Sequence, residues 1–581
     1  MPAPDSPPAA AAAAGAWRRR LLHTVLYGRN VDRSAKARAR IGLAMLAFAV
    51  VYAVIAARLV SFAVAPESHF ARRGASNAVA TSRPDILDRN GMVLATDVRA
   101  PSLFAEPRNI IDVDEAVELL TAVLPDLDAA ELRERLSSGR GFIWLKREIT
   151  PKQRREIYRL GLPGVGFLAE NKRVFPNSAE VSHLIGHVNI DNQGIAGIEK
   201  WVDGRGLAAL HKAGFATERL QQPIELAVDL RVQHALRDEL IFAANKFKVK
   251  AAAGLVVDVE TGEIVAMVSL PDYDPNSPKQ ANDPNRINRL TTGVFELGST
   301  FKALTVAMAL DSGKVKLGSS FDARVPLRYG RFTIHDYHGQ RRVLTVPEVF
   351  TYSSNIATAR IALSLGVEYH KWFLRKMGQL DRLRTELPES AEPLVPKKWG
   401  ELNTVTIAFG HGLSVAPLQA VMAINALVNG GYLIPPTFMK RSKEDARKLA
   451  KVVVKPETSD RMRYLLRLNA EIGTARKADV AGFYVGGKTG TSEKVVNGRY
   501  SKTKVLNTFT AIMPADQPRY QLLIMLDEPQ GLPETHGFST SGWNAAPTAG
   551  KVIARIAPML GIRPRFDLPP AEQLILAKVK Q

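Results

Sequence analysis

Two stretches of the chain place a serine three residues ahead of a lysine: Ser299-Thr300-Phe301-Lys302 and Ser501-Lys502-Thr503-Lys504. On a helix that spacing sets the amine over the hydroxyl. A serine is a poor nucleophile until a neighbouring base takes its proton. A lysine can be that base when burial and a nearby cation lower its pKa. Only the first match reads as helical: Phe301, Leu304, Thr305 and Met308 fall at i, i+3, i+4 and i+7, and Gly313 stands beyond as a stop. The bare N–H groups of its first turn would also suit an oxyanion. The second match sits in the polar stretch "VVNGRYSKTKVL", read as a loop and given no function.

Two further pieces raise the specificity. Ser353-Ser354-Asn355 is a single S-x-N, and Lys488-Thr489-Gly490, followed by Thr491, is a single K-T-G. Singly, the first reads as helix-capping polar residues and the second as an edge strand with an exposed lysine. In the order S-x-x-K, S-x-N, K-T-G they point to acyl transfer through Ser299 with Lys302 as base. Lys488 would be the second cation that keeps Lys302 partly neutral, and would draw in a substrate carboxylate. Gly486, Gly487 and Gly490 leave one face of their strand low, so another backbone can lie against it.

The elements that must hold these residues follow from pattern. Strand "IELAVDL" runs into a long helix to Phe247, and "GLVVDVETGEIVAMVSL" is a hairpin turning at "ETGE". Strands are expected at 484–491, 507–514 and 520–529, with a last helix over 545–560. Strands, a helical middle, then strands and a helix predict an α+β fold whose antiparallel sheet is flanked by helices. Residues 66–222 read as a β-rich domain of short strands, with a hairpin over 85–98 turning at Asn90-Gly91 and surface helices over 112–125 and 150–161.

The chain has 581 residues, so more than one domain is expected. It has no cysteine, which excludes disulfides, thiolate metal sites and a cysteine nucleophile. The net charge of +21 calls for an anionic partner, yet no zinc-finger spacing or RNA-binding signature is present, so a membrane surface or anionic polymer fits as well. Residues 1–40 are Pro/Ala-rich and then basic, and are read as a disordered cytoplasmic tail. Residues 41–64 are read as a transmembrane helix, with Arg58 snorkelling to an interface. A cleavable signal peptide is the rival, offered by "AVA" at 63–65; the long basic leader and Pro66 favour an uncleaved anchor. The Lys/Arg excess ahead of it places the N-terminus inside and the rest outside.

The three motifs resemble those of the penicilloyl-serine transferases. "SRPDILDRNGMVLA", "RVFPNSAEVSHLIGHVN", "GIAGIEKWVD" and "FGHGLSVAPLQAV" narrow the resemblance to the class B penicillin-binding proteins over roughly residues 58–562, and "KKWGELNTVTIAFGHGLSVAPLQ" is most similar to the division-specific members. The resemblance implies a dimerisation-type pedestal over 66–222, a transpeptidase domain over 223–565 and a tail over 566–581. It implies a periplasmic D,D-transpeptidase of the inner membrane that cross-links peptidoglycan stem peptides at the septum and is a target of β-lactams, with no cofactor or metal. Ser299 would attack the penultimate D-alanine carbonyl and Lys302 take its proton. Ser353 would pass a proton to the departing D-alanine, and Asn355 would hold the donor amide and orient Lys302. Lys488, Thr489, Gly490 and Thr491 would form the carboxylate-binding strand, with the N–H groups of Ser299 and Thr491 as oxyanion hole. Implied partners are lipid-linked nascent glycan, a polytopic glycan polymerase of the SEDS family and small single-span division proteins. Arg83 and Asp88 are the pedestal positions where charge reversal is expected to block septal cross-linking and spare acylation. The departures from the family pattern are Pro84, Leu297, His411 and "NTFTAIMP". Elongation-specific transpeptidases are the nearest alternative; a β-lactamase, a bifunctional class A synthase and a penicillin sensor fit the chain's size and motifs less well.

Overall fold

The computed structural model describes residues 33–64, 82–204, 222–330, 332–496 and 498–573. The basic leader up to residue 32, the Ala65 end of "AVA" and the last eight residues lie outside them. Arg33–Val64 is one 32-residue helix whose described apolar side chains, from Ile41 to Ile55, stand exposed. Among the described residues no helix is long and apolar enough to cross a membrane.

The catalytic half is built on a five-stranded sheet in the order 486–496, 499–513, 520–527, 251–258, 264–270, each neighbour antiparallel. Both faces are covered, so the inner strands read as unbroken apolar runs rather than as alternation. Tyr520–Asp527 is buried at every position. Its Leu522, Ile524 and Leu526 pack with Leu236 and Leu240 of helix Leu230–Phe247 and Val552 and Ile553 of helix Ala545–Met559. Leu523 and Met525 join the other core, which contains Phe301, Leu304 and Met308. Helix Lys302–Asp311 is buried from Lys302 to Leu310, because it runs through the middle of the helical layer and has no solvent face.

The N-terminal domain is centred on Val93–Ala105, a 13-residue strand, longer than the short strands expected. It pairs antiparallel with Ile86–Leu87, Ile143–Lys146 and Val165–Val174. Leu103, Leu120, Leu132 and Ile157 form a small core beneath. The helices start where expected: Asp112 accepts from the N–H groups of Asp114 and Glu115, and Thr150 and Gln153 form a capping box. Ile224–Glu225, read from sequence as the opening of the transpeptidase domain, pairs parallel with Ile86–Leu87 of the pedestal.

Arg83 and Asp88 are not docking residues. Arg83 is 7% exposed and bonds Glu199 and Asp203 at 2.8 and 2.7 Å, while Arg173 bonds the same Glu199 at 2.6 Å and Asp97 at 3.1 Å. Asp88 is fully buried and accepts from the backbone N–H groups of Asn90, Met92 and Leu230. Both hold the chain together where the pedestal begins, so a charge reversal there would break the fold before any partner met it.

Candidate active site

Ser299 lies in a tight helical turn, Gly298–Phe301, that runs directly into the Lys302 helix. Gly490 of the edge strand makes the approach possible. A Cβ there would lie 2.4 Å from Leu297 O and Thr300 Oγ1 and 2.3 Å from Thr508 Oγ1. Gly298 adopts φ +55°, and a Cβ on it would meet Thr491 O at 2.6 Å. The Ser299 turn and the K-T-G strand therefore touch backbone to backbone. The low face expected of this strand is filled at Gly490 by the chain itself; Gly486 and Gly487 are closed by Arg467 N and by the Phe509 ring.

Lys302 and Lys488 are both fully buried. Lys302 Nζ donates to the carbonyl of Ser353 and, at 3.1 Å, to its Oγ. Lys488 Nζ donates to the same Oγ at 3.0 Å and to Thr489 O at 3.1 Å. Neither amine has a carboxylate within ion-pair distance among the described residues. Burial pulls the Lys488 amine down to about 7. Burial, then the charge of Lys488, holds Lys302 well below the ordinary lysine value, with Asp336 acting against them. A hydroxyl oxygen has two lone pairs. With both taken by amines, the Ser353 proton is left for a third group in the cleft. Ser353 itself sits at φ +58°, a conformation a non-glycine residue rarely holds away from functional sites.

The structure thus brings together Ser299, Lys302, Ser353, Lys488 and Gly490. The Ser299 hydroxyl has no hydrogen-bond partner among the described residues, which leaves it free for a substrate. The capping role considered for the S-x-N residues falls on Ser354, which accepts from Ala357 N–H at 3.1 Å. Asn355 Nδ2 donates to His335 O at 3.0 Å rather than touching Lys302. Thr489 and Thr491 alternate with Lys488 along the strand. Their hydroxyls bond Thr474 Oγ1 at 2.7 Å and Ser541 N–H at 3.1 Å.

Ser501 is in a strand, not a loop: the edge hairpin extends over Gly486–Val496 and Arg499–Met513, with Ser501 opposite Lys494. It remains far in register from the site and keeps no role. Sequence reasoning missed what that extension carries. Tyr500 donates to Glu296 Oε1 at 3.1 Å, and Gly412 N–H donates to the same oxygen at 2.8 Å. One half-buried carboxyl, its pKa pushed upward by desolvation, ties the Ser299 turn to the 409–412 loop and the hairpin. His411 packs on Phe409 and Tyr500, its Nδ1 is buried without a partner among the described residues, and burial and the Lys302 charge push it down to about 4.

The family profile described as the penicillin binding protein transpeptidase domain matches residues 252–553, and that of the penicillin-binding protein dimerisation domain matches 78–203. The chain is 41% identical to the probable peptidoglycan D,D-transpeptidase FtsI of Caulobacter vibrioides, over 85% of this chain and 84% of that protein. The chain belongs to the class B penicillin-binding proteins of the FtsI type. It is also 32% identical to the probable peptidoglycan D,D-transpeptidase PenA of Neisseria gonorrhoeae, over 93% of this chain and 96% of that one. A solved peptidoglycan synthetase of Bifidobacterium adolescentis shares the fold, with a TM-score of 0.65 at 23% identity over 85% of this chain and 98% of that one. As a class B penicillin-binding protein the chain is a peptidoglycan D,D-transpeptidase of the penicillin-binding, acyl-serine kind, with the two-domain mixed α/β fold of that family.

Proposed function

We propose that this transpeptidase works at the division septum and that Ser299 is its acylated nucleophile. The observation that supports the site most is the shared hydroxyl: Lys302 and Lys488 both donate to Ser353 Oγ, beside a free Ser299. Lys302, its amine pKa lowered by burial and by the charge of Lys488, takes the Ser299 proton as Oγ bonds the penultimate D-alanine carbonyl carbon. The backbone N–H groups of Ser299 and Thr491 receive the oxyanion. The C–N bond to the terminal D-alanine breaks, and the proton returns through Ser353 to the departing amine. The amine of a neighbouring stem peptide then attacks the ester, forms the cross-link and frees Ser299. Lys488, Thr489 and Thr491 bind the terminal carboxylate, Gly490 lets them approach, and Asn355 holds the donor amide. β-Lactams enter the same sequence and stop at the acyl-enzyme.

The apolar run of helix Arg33–Val64, exposed from Ile41 to Ile55 and continued in sequence by "LVSFAVA" after Arg58, serves in this reading as the single-pass inner-membrane anchor, with the N-terminus cytoplasmic and the catalytic half periplasmic. The pedestal docks a polytopic SEDS-type glycan polymerase and small single-span division proteins. The similarity to FtsI proteins of Caulobacter vibrioides and Escherichia coli supports division over elongation. Two experiments decide. Ser299→Ala should abolish labelling by fluorescent penicillin while Ser501→Ala keeps it; survival of labelling in Ser299→Ala would refute the site. A fluorescent fusion should gather at midcell, and a side-wall distribution would transfer the protein to elongation.

A further inference from the structure

Asp336 belongs to none of the motifs and lies 18 residues ahead of Ser354 in the chain. Its Oδ2 accepts from the Ser354 hydroxyl at 2.7 Å, and its Oδ1 accepts from Ile356 N–H at 2.9 Å. The preceding carbonyl, His335 O, accepts from Asn355 Nδ2 at 3.0 Å. Three consecutive residues, Ser354 to Ile356, are thus gripped by two, and they directly follow the Ser353 that both amines hold. Ile356 N–H is one of the unpaired donors in the first turn of helix Asn355–Leu365, where a carboxylate is favoured by the helix dipole. Lys302 is faced by Lys488 from the edge strand, by the His411 ring from the 409–412 loop and by Ser353. Of these groups none is negative, and Asp336 is the carboxylate whose field reaches Lys302.

We propose that Asp336 is a positioning residue of the transpeptidase reaction: it fixes the Ser353 backbone and supplies the negative charge that the paired amines lack. The inference rests on the assignment of Ser299 and Lys302 given above. A negative charge favours the protonated amine, opposing burial and Lys488. Asp336→Asn keeps the shape and an acceptor but removes that charge. The proton then leaves Lys302 at lower pH, so the limb on which acylation rises with pH moves to the acid side.

The test is the second-order rate of acylation by a chromogenic β-lactam, followed from pH 4.5 to 9.5 on detergent-solubilised full-length protein. For Asp336→Asn the limb should move about one unit to lower pH, with a plateau about tenfold slower. Ser354→Ala breaks one of the same bonds and keeps the charge, so its plateau should fall with the limb where the wild type has it. A slower Asp336→Asn with an unmoved limb leaves only a helix cap and overturns the proposal, as does an unchanged rate. Should Asp336→Asn not fold, Ser354→Ala decides: a limb displaced as far as a unit would refute the charge argument. Ser299→Ala, run alongside, separates the two levels. If it still labels, the site assignment has failed; if it is inert while Asp336→Asn behaves as wild type, only Asp336 has.

Discussion

Lys488→Met should make the protein more stable at neutral pH while making it useless. The Lys488 amine is fully buried, without a carboxylate in ion-pair range among the described residues, and burial brings it down to about 7. In the unfolded chain it titrates near 10.5. Between those values the unfolded state holds a proton that the folded state does not, so stability falls as pH drops from 10.5 and stops falling near 7. A gap of that width corresponds to about 4–5 kcal/mol against folding at neutral pH. Methionine fills a similar volume with no charge, but gives up the bonds to Ser353 Oγ and Thr489 O, at a cost of about 1–3 kcal/mol. The net gain near pH 7 is then about 2 kcal/mol, or a Tm higher by about 2–3 °C for a unit of this size, and it should vanish or reverse toward pH 10.5. Thermal melts of solubilised wild type and variant from pH 6 to 10.5, with penicillin labelling of the same samples, measure both sides. A Tm difference that is negative at pH 7, or that stays constant across the range, would refute the reasoning.

Gly490→Ala should cost about 1–3 kcal/mol through overpacking and slow acylation about a hundredfold, because its Cβ forces the Ser299 turn off the edge strand; wild-type rate and melting together would contradict the packing. Lys302→Arg should fold yet acylate several orders of magnitude more slowly, since a guanidinium keeps its proton near neutral pH; near-normal penicillin labelling would move the base elsewhere. Glu199→Ala should lower stability by about 3–5 kcal/mol, leaving Arg83 and Arg173 buried without their shared partner; an unchanged melt of the purified protein would show the cluster to be dispensable.

Much of the catalytic half was legible because its signals are local. The S-x-x-K spacing puts two groups on one helix face, and the hairpin at 254–270 carries its turn between two apolar runs. Helix caps such as Asp112 and Thr150 announce themselves in the residues they precede. What stayed hidden depends on contacts distant in sequence. Arg83 reads as a surface charge near an anchor until Glu199, 116 residues on, is seen to bury it. Asp336 has no pattern of its own; its meaning comes from Ser354. Ser501 looked like a loop because the strand that continues there is polar on both faces and stands beyond the sheet's helical cover, so neither periodicity nor apolar content marked it. The glycines of the K-T-G strand were rightly read as a low face, but a sequence does not say which backbone fills it.

The pairing of Ile86–Leu87 with Ile224–Glu225 has a mechanical consequence. The chain enters and leaves the pedestal through two neighbouring strands, and beside them Leu94, Phe175, Val181, Leu184 and Ile198 of the pedestal share one buried core with the catalytic half. Asp88 clamps the incoming strand to the start of the helix Leu230–Phe247 through Leu230 N–H, and Ala227 N–H fastens the outgoing strand to Phe438 O. A pull on the pedestal is therefore delivered to that helix and, through Asp229 N–H to Val265 O, to strand 264–270 at the opposite edge of the sheet. The hairpin bearing Lys488 lies at the far edge, three strands from Ala251–Asp258. An enzyme that must stitch a wall under tension takes its load on the part of the sheet farthest from the bond-making strand.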